Sequence, residues 1–571
     1  MNGTGINLSP ASKVCFGAIF ATMGFYLVYQ WLLPKPLPGI PYNSEATKSL
    51  FGDALAMDRE VKATGEFSVW LAKQVEKMHS PVCQVFIHPF SKPWILVGDF
   101  HEAQDILMRR PEFDKSRFLI DGLQGLGAWH SRSVTNSTFK ANRRLKQDLM
   151  TPSFLNNIMG HAMHANALKV ISLFELKMKL SNGRPFNILR DYNHAALDVM
   201  IQFAFGNNLS DSALDPQLDL VSKLKSSQIP YGEIDDPVNF PEGDIGAFLK
   251  ATEDATRVLE MTTLSPIPKL IFWWWSRQDW LQKIFFQKDL VVPQQVIKAI
   301  ANCNAGKVKS ALEHIVMREK AAADREGRNP RFESQMMIDE AYGDVITGHH
   351  TTGGTMSWVT KYLTGYPNTQ SRLRSALYSA IPNAVEEKRL PTFEELNHAR
   401  IPYLEAVIEE TLRLTPFSIV RETMEDTQIL GYRIPKGCQV FMVNGGPGFL
   451  SPSLVVDEAA RSPTSKGAKA RRKWDETKDL KIFEPERWLV GRDDGGVDFD
   501  PAAGPQLGFG MGVRQCWGRR LAHLEIRTVL ALVTWNFEFL EIPEQLGGYT
   551  GYDGISRQPH RAFVRLKKLA R

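Results

Sequence analysis

The sequence predicts a mainly α-helical protein with a minor β-sheet region and one N-terminal transmembrane helix. Of its 571 residues, 43% are hydrophobic and 23% are charged, a composition that can bury a large core and excludes disordered and collagen-like classes. Helical periodicity dominates from residue 45 onward, for example at 165–180 and 334–363, whereas strand-like segments lie near 82–100 and 431–444. The body is therefore expected to be helical with a small accompanying sheet.

Charge and cysteine content exclude several functional classes. The formal net charge of +5 is small for a chain of 571 residues, so charge alone gives no sign of nucleic-acid binding. The five cysteines are scattered and form no C-x-x-C pair, which argues against a disulfide framework or a cysteine-rich zinc site. A reducing compartment fits this pattern best.

The N-terminal apolar segment covers residues 14–33 and follows a short tail, residues 1–13. Its 20 residues carry no formal charge, and as a helix they span about the 30 Å of a bilayer core. A cleaved signal peptide is the alternative, but its apolar region is shorter and ends in small residues, whereas Tyr29 and Trp31 lead directly into Pro34. We predict an uncleaved anchor, whose orientation the balanced flanking lysines do not determine.

Two segments differ in composition from the rest of the chain. Residues 34–44 contain four prolines, which predicts a stiff, non-helical linker between the anchor and a catalytic body over residues 45–571. Residues 457–481 are small, polar and basic and predict a solvated loop insertion. Because this insertion lacks interleaved aromatic residues, we do not expect it to bind nucleic acid.

One cysteine lies in a glycine-rich segment, FGMGVRQCWG, that a helical pattern follows at once. Glycines let a backbone approach a flat cofactor closely, and the helix N-terminus together with Arg514 favours an anionic sulfur at Cys516. A lone thiolate suits haem iron, whereas zinc needs three or four ligands. Taken alone, the pattern Gly-x-x-x-Cys-x-Gly favours a buried structural cysteine over an iron ligand.

These ten residues match the pattern F-x-x-G-x-R-x-C-x-G and thereby resemble the cytochrome P450 haem-thiolate monooxygenases. The resemblance implies the P450 fold and a haem b cofactor, with Cys516 as the iron ligand. It also implies that Phe509 packs beside the sulfur, that Gly512 and Gly518 shape the loop, and that Arg514 pairs with a haem propionate.

Further motifs follow the order of this family. In ETLR, Glu410 and Arg413 share one helix face; alone they indicate a surface ion pair, but they resemble the family's pair that joins a second arginine, here Arg487 of FEPERW. The remaining matches are to residues near the propionates: Arg421, and the pair Phe139 and Arg143 of FKANRR. The family usually has Trp where this chain has Phe139, which removes an indole N–H donor.

The segment DVITGHHTTGGTMSW interrupts an apolar helical pattern with glycines and threonines, which loosen a helix. It resembles the family's distal motif A/G-G-x-D/E-T-T/S, with Thr351 as the hydroxyl that helps to deliver protons. Here His350 occupies the acidic position and Thr347 the first small position. A histidine side chain can relay protons, but His350 is equally compatible with a role in lining the pocket.

No G-x-G-x-x-G or Walker A pattern occurs, so electrons must come from another protein. The resemblance implies a membrane-bound, NADPH-dependent flavoprotein reductase, an endoplasmic-reticulum membrane and a cytosolic catalytic body. A basic surface suits an acidic electron donor; its expected members are Lys140, Arg144, Lys146, Arg519 and Arg520.

Three consecutive tryptophans, Trp273, Trp274 and Trp275, follow a proline-broken segment in the region that often touches the bilayer in this family. Packing inside the body is equally compatible with the sequence.

The resemblance as a whole implies a monooxygenase that hydroxylates or epoxidises an apolar small molecule with dioxygen, in the style of fungal specialised metabolism. The alternatives are a haem-thiolate isomerase, dehydratase or peroxygenase, which the His350 departure favours, and a non-catalytic haem sensor or electron carrier.

Overall fold

The computed structural model of the protein describes residues 10–468 and 474–570. Within them, helices dominate and the strands are short, which confirms the predicted mainly α-helical class with a minor sheet. The helices of eight or more residues are Pro10–Leu32, Ala54–Thr64, Phe67–Met78, Phe100–Arg109, Ser137–Leu145, Gly160–Ser181, Leu189–Phe205, Leu214–Lys223, Ala247–Leu264, Pro268–Trp275, Asp279–Asn304, Ala311–Glu326, Gln335–Gly365, Pro367–Ala380, Pro402–Leu414 and Arg519–Asn536.

The strands form small sheets at the edge of the helical body. The largest sheet contains, in spatial order, Val82–Val85, Trp94–Val97, Gln439–Met442, Ile419–Thr423 and Phe113–Lys115. A three-stranded sheet joins Phe537–Leu540, Phe563–Lys568 and Phe186–Asn187. Three two-stranded hairpins pair Thr427–Ile429 with Tyr432–Ile434, Leu489–Gly491 with Val497–Phe499, and Gly551–Asp553 with Arg557–Pro559.

The N-terminal helix begins at Pro10 and ends at Leu32, shortly before Pro34, and thus covers most of the predicted anchor. Its window Cys15–Leu32 is long and apolar enough to cross a membrane and is exposed along its length. The linker then docks on the body, because the Gln84 amide bonds the Leu37 N–H at 2.9 Å and the Ile40 carbonyl at 2.8 Å. The segment after the N-terminal helix is therefore bonded to the first strand of the largest sheet.

We call Gln335–Gly365 the distal helix. Most of its residues are buried, and it packs against Leu189–Phe205 and against Arg519–Asn536, which we call the proximal helix. A helix that is apolar on several faces is expected at the centre of a large protein, where it has neighbours on all sides. Its 31 residues cover about 46 Å, so one element can reach several parts of the site.

Most of the described residues of the basic insertion are exposed, but one part of it is docked on the body. Arg461 binds Asp99 at 2.7 Å, and the hydroxyls of Ser462 and Thr464 donate to Asp105 at 2.7 and 2.8 Å. Asp99, the N-cap of the helix Phe100–Arg109, and Asp105 within that helix thus hold one end of the insertion. Residues 469–473 lie outside the described residues.

Candidate functional site

We call residues 509–518 the cysteine loop. The Cys516 N–H donates to the Phe509 carbonyl at 2.7 Å, which closes the loop. Gly512 has a φ of +71°, and a Cβ atom added there would lie 2.1 Å from the Leu107 carbonyl oxygen. Only glycine is compatible with both the conformation and the close approach. The loop conformation therefore depends on the glycine that the motif places at 512.

The Cys516 side chain lies just before the N-terminus of the proximal helix. Burial raises the pKa of the Cys516 thiol, whereas hydrogen bonds from the Gly518 and Arg519 N–H groups and the charges of Arg519 and Arg143 act in the opposite direction. Cys516 has many protein atoms around it, but the residue keeps exposed surface. A cysteine that keeps exposed surface and faces backbone donors and cations is suited to act as a thiolate ligand.

A group of cationic side chains lies beside the cysteine loop. Lys115 and Arg421 are directly opposite each other in neighbouring antiparallel strands. Arg514 Nε donates to Asp114 Oδ1 at 3.2 Å and to Thr135 Oγ1 at 2.8 Å. Its buried Nη1 atom has no hydrogen-bond partner among the described residues. One carboxylate, Asp114, thus faces several cations.

Burial and the neighbouring charges shift the pKa values of the groups in this cluster. Burial and the neighbouring charges of Arg421 and Arg514 lower the pKa of Lys115 to about 7. Burial and Arg514 lower the pKa of Arg421 to about 10. Although burial raises it, hydrogen bonds from Thr135 and Lys115 and the Arg514 charge bring the pKa of Asp114 below its usual value. A buried site with excess positive charge fits the two propionates of haem, so the residues present fit this cofactor.

Phe139 lies between two of the arginines. Its ring is buried, with the Arg514 guanidinium 3.8 Å and the Arg143 guanidinium 5.7 Å from the ring centre. Both contacts are cation–π interactions. Phenylalanine thus orders both arginines through its ring, without the indole donor that the family usually has there.

Lys146 is not part of the basic surface, and this expectation was wrong. Its side chain is fully buried and its ammonium binds Glu340 at 3.0 Å and Asp344 at 2.6 Å, both on the distal helix. The ammonium also lies 4.5 Å from the ring centre of Trp517, the residue after Cys516. Although burial raises it, the Lys146 charge and the His130 hydrogen bond bring the pKa of Glu340 to about 2. The other expected members are exposed or partly exposed: Lys140, Arg144, Arg519 and Arg520.

Glu410 and Arg413 form a fully buried, bidentate ion pair with distances of 2.8 and 2.7 Å. Arg487 Nε lies 3.7 Å from Glu410 Oε1. The Glu410 carboxylate also accepts the Trp488 indole N–H at 3.0 Å, and Arg413 donates to the Leu480 carbonyl at 2.8 Å. The three charges therefore meet, and their contacts hold the segment around 480–488 that leads to the cysteine loop.

On the distal helix, Thr351 and His350 are adjacent but have different contacts. Thr351 Oγ1 donates to the Thr347 carbonyl at 3.1 Å. His349 is buried and bonds the Val345 carbonyl of its own helix at 2.9 Å. His350 Nδ1 instead lies 2.8 Å from Glu260 Oε1, on the helix Ala247–Leu264. A carboxylate therefore lies beside the position where the distal motif lacks one.

The fold and the cysteine loop together define a haem-thiolate enzyme. The family model for cytochrome P450 matches residues 50–446 and 480–559, and the chain belongs to this family. It is 38% identical to cytochrome P450 monooxygenase xilC of Penicillium crustosum, over 97% of this chain and 96% of that protein. It is 36% identical to cytochrome P450 monooxygenase TRI13 of Fusarium sporotrichioides, over 96% and 98%. The predicted family and the predicted oxygenase class are confirmed.

Some site residues gave no signal in the sequence. Lys115 and Asp114 lie in FDKS, a short segment with no motif, and only strand pairing brings them to Arg421 and Arg514. Glu260 lies 90 residues before His350. Only the fold brings these groups together.

Proposed function

We propose that this protein is a membrane-anchored monooxygenase that inserts one oxygen atom into a C–H or C=C bond of an apolar small molecule. The balanced reaction consumes the substrate, dioxygen, NADPH and one proton and yields the oxygenated product, water and NADP⁺. One oxygen atom enters the product and the other leaves as water, with two electrons and two protons consumed. When bound, the haem supplies the activation of dioxygen.

The observation that carries this proposal is the exposed Cys516 at a helix N-terminus, within a glycine loop and beside an uncompensated cationic group. Cys516 would bind the iron. Three groups of residues would act around it. Phe509, Gly512 and Gly518 would shape the loop around the sulfur. Arg514, Arg143 and Arg421 would bind the propionates, with Phe139 ordering the first two. Glu410, Arg413 and Arg487 would hold the preceding segment in place.

On the distal side, Thr351 would hold and pass a proton through its hydroxyl group, and His350 would supply that proton. Thr351 Oγ1 uses its own proton toward the Thr347 carbonyl, which leaves its lone pairs able to accept another. To act as a relay, the hydroxyl would rotate away from the Thr347 carbonyl, accept one proton on a lone pair and release its own to the reacting oxygen.

The electrons would come from an NADPH-dependent flavoprotein reductase on the same membrane. The exposed cations Lys140, Arg144 and Arg520 of this protein would form the face on which the acidic surface of the reductase docks. The N-terminal helix would place both proteins in the endoplasmic-reticulum membrane, with the body on the cytosolic side. The relatives xilC and TRI13 are fungal proteins similar to this chain over nearly its whole length, which supports a role in fungal specialised metabolism.

The alternative of an isomerase, dehydratase or peroxygenase was supported by the missing distal carboxylate. The contact between His350 and Glu260 weakens that support, because it returns a carboxylate to the distal side. A non-catalytic sensor or electron carrier gains no support from any contact within the described residues.

The decisive experiment is a carbon-monoxide difference spectrum of the reduced protein, followed by product analysis with reductase and NADPH. We expect the absorption band that is characteristic of a thiolate-ligated haem, and its loss in Cys516→Ser. Product that forms with reductase and NADPH but not with peroxide alone supports the monooxygenase reaction. A thiolate-type band that persists in Cys516→Ser would contradict the proposal.

A further inference from the structure

Glu260 is a nearly buried carboxylate that faces the distal motif and has no assigned role. It lies on the helix Ala247–Leu264, and its Oε1 atom is 2.8 Å from His350 Nδ1. His350 directly precedes Thr351 on the distal helix. The carboxylate thus reaches the distal motif from a neighbouring helix.

A hairpin holds both members of this pair in place. The Gln558 amide donates to the His350 carbonyl at 2.9 Å, and a Cβ atom added at Gly554 would lie 2.5 Å from Glu260 Oε1. Gly554 lies between the strands Gly551–Asp553 and Arg557–Pro559, so the turn packs directly against the carboxyl group. The geometry of the pair is therefore fixed from two sides.

We propose that Glu260 is the positioning residue of a Glu260–His350 dyad that supplies protons to Thr351, in place of a carboxylate on the distal helix itself. This inference rests on the proposed function. A carboxylate that accepts a hydrogen bond from Nδ1–H selects the tautomer in which Nε2 is the acceptor. It also stabilises the imidazolium cation that forms when Nε2 takes up a proton.

The proton steps balance as follows. Nε2 accepts a proton from solvent, and the ring becomes cationic beside the Glu260 carboxylate. The ring then releases this proton to Thr351 Oγ1, or to a water bound to that hydroxyl, and returns to the neutral tautomer. Two such transfers supply the two protons of one turnover. Nε2 makes no other hydrogen bond among the residues that the structure describes, so it is available for this role.

A second pair on the same helix provides a matched control. Glu253 lies seven residues before Glu260, and its Oε1 atom is 3.1 Å from Nε2 of His194. His194 belongs to the helix Leu189–Phe205 and not to the distal helix. Removal of the Glu253 charge therefore disturbs a similar pair on the same helix but leaves the His350 contact intact.

The test compares Glu260→Gln, Glu253→Gln, His350→Glu and the double variant E260Q/H350E in the full-length holoenzyme, with each reduced carbon-monoxide spectrum recorded first. We expect E260Q to raise the peroxide released per NADPH on the order of tenfold and to change the solvent isotope effect. The reason is that slower proton delivery lets reduced oxygen leave as peroxide before it is used on the substrate. E253Q should match the unmodified protein. In the H350E background the distal helix carries its own carboxylate, so E260Q should have little further effect.

A second measurement needs no turnover. In a double-mutant cycle on the thermal unfolding midpoint, Glu260→Gln and His350→Gln should be non-additive, whereas Glu253→Gln and His350→Gln should be additive. If E260Q does not retain haem, Glu260→Asp is compared with Glu253→Asp, with more peroxide expected from the former.

Three results would overturn the dyad. E260Q could release no more peroxide per NADPH than E253Q, or E260Q/H350E could release as much peroxide as E260Q. The third is that the effects of Glu260→Gln and His350→Gln on the unfolding midpoint are additive. These failures are distinct from failure of the proposed function. The latter appears as a missing thiolate band in the unmodified protein.

Discussion

Single side chains around Cys516 determine how the site accepts an anionic cofactor. Lys115, Arg421 and Arg514 bring like charges together, and Asp114 is the carboxylate that faces them. Like charges in a poorly solvated place destabilise the protein unless anions neutralise them. With a haem propionate beside them, these residues would therefore favour the cofactor-bound protein over the cofactor-free one.

Lys115→Met should weaken haem retention. The substitution keeps the side-chain length but removes the charge that would face a propionate, and a charge-assisted hydrogen bond contributes about 1.5–3 kcal/mol, so haem loss should be about tenfold faster. The rate of haem transfer from the holoenzyme to an excess of apomyoglobin measures this. The exposed Lys140 provides the control, since Lys140→Met should leave the rate unchanged. Equal rates in both variants would show that Lys115 does not contact the cofactor.

Glu525 on the proximal helix predicts a pH dependence of stability. Burial raises the pKa of Glu525 from 4.5 to about 8. Between these values the unfolded chain has lost the proton that the folded protein keeps, so stability falls as pH rises. Glu525→Gln removes this loss, and its thermal midpoint should increasingly exceed that of the unmodified protein from pH 5 to about 8 and then remain constant.

The exposed Glu333 is the control for this measurement, because Glu333→Gln should leave the pH profile as it is. A constant difference between E525Q and the unmodified protein at every pH would mean that Glu525 ionises normally in the folded state.

A buried ion pair on the helix Pro402–Leu414 connects the core to the segment before the cysteine loop. Glu410 and Arg413 are both fully buried, and the carboxylate also receives donors from Glu484 and Trp488. A buried pair is costly to break, because the partner left behind keeps its charge without compensation. The pair therefore fixes the position of segment 480–488 more than it adds to stability.

Glu410→Gln should lower the free energy of unfolding by about 3–5 kcal/mol, because it leaves the Arg413 charge buried and unpaired. Urea unfolding followed by tryptophan fluorescence measures this loss. Asp58→Asn breaks a solvent-exposed ion pair with Lys62 and should cost under about 1 kcal/mol. Similar losses in the two variants would contradict a structural role of the buried pair.

Elements with a strong local pattern were predictable from the sequence. The distal helix, the helix Pro402–Leu414 and the hairpin of Val82–Val85 with Trp94–Val97 follow from periodicity, proline stops and β-branched runs. Lys146 was assigned to the surface because buried and exposed cationic residues of one helical segment look alike in sequence. Only the packing shows that the Lys146 side chain faces Glu340. Glu260 was not predictable, because its contact with His350 joins helices far apart in the chain.

The molecule as a whole has an apolar face in addition to its N-terminal helix. Trp273 and Trp274 are more than half exposed, as are Leu270 and Ile267, whereas Trp275 packs against Trp280 with ring centres 5.7 Å apart. Exposed indole rings next to exposed aliphatic side chains are suited to the headgroup region of a bilayer. This face and the anchor would together fix the orientation of the body on the membrane.

The double substitution of Trp273 and Trp274 by Ser should weaken the binding of an anchor-deleted form to liposomes of neutral phospholipid, because each indole contributes apolar area at the interface. Co-sedimentation with the liposomes measures the bound fraction. Tyr231 is 93% exposed elsewhere, and Tyr231→Ser is the control that should bind normally. Unchanged binding of the tryptophan variant would place these rings away from the bilayer.

Lys146 connects the distal helix to the residue next to Cys516. Its ammonium joins Glu340 and Asp344 of that helix to the indole of Trp517, the immediate neighbour of Cys516. A small axial slide of the helix must therefore move a positive charge relative to the thiolate. Since thermodynamic linkage is reciprocal, a molecule that shifts the helix at Thr351 would alter the reduction potential of a haem held by Cys516, and reduction of that haem would alter the molecule's affinity equally.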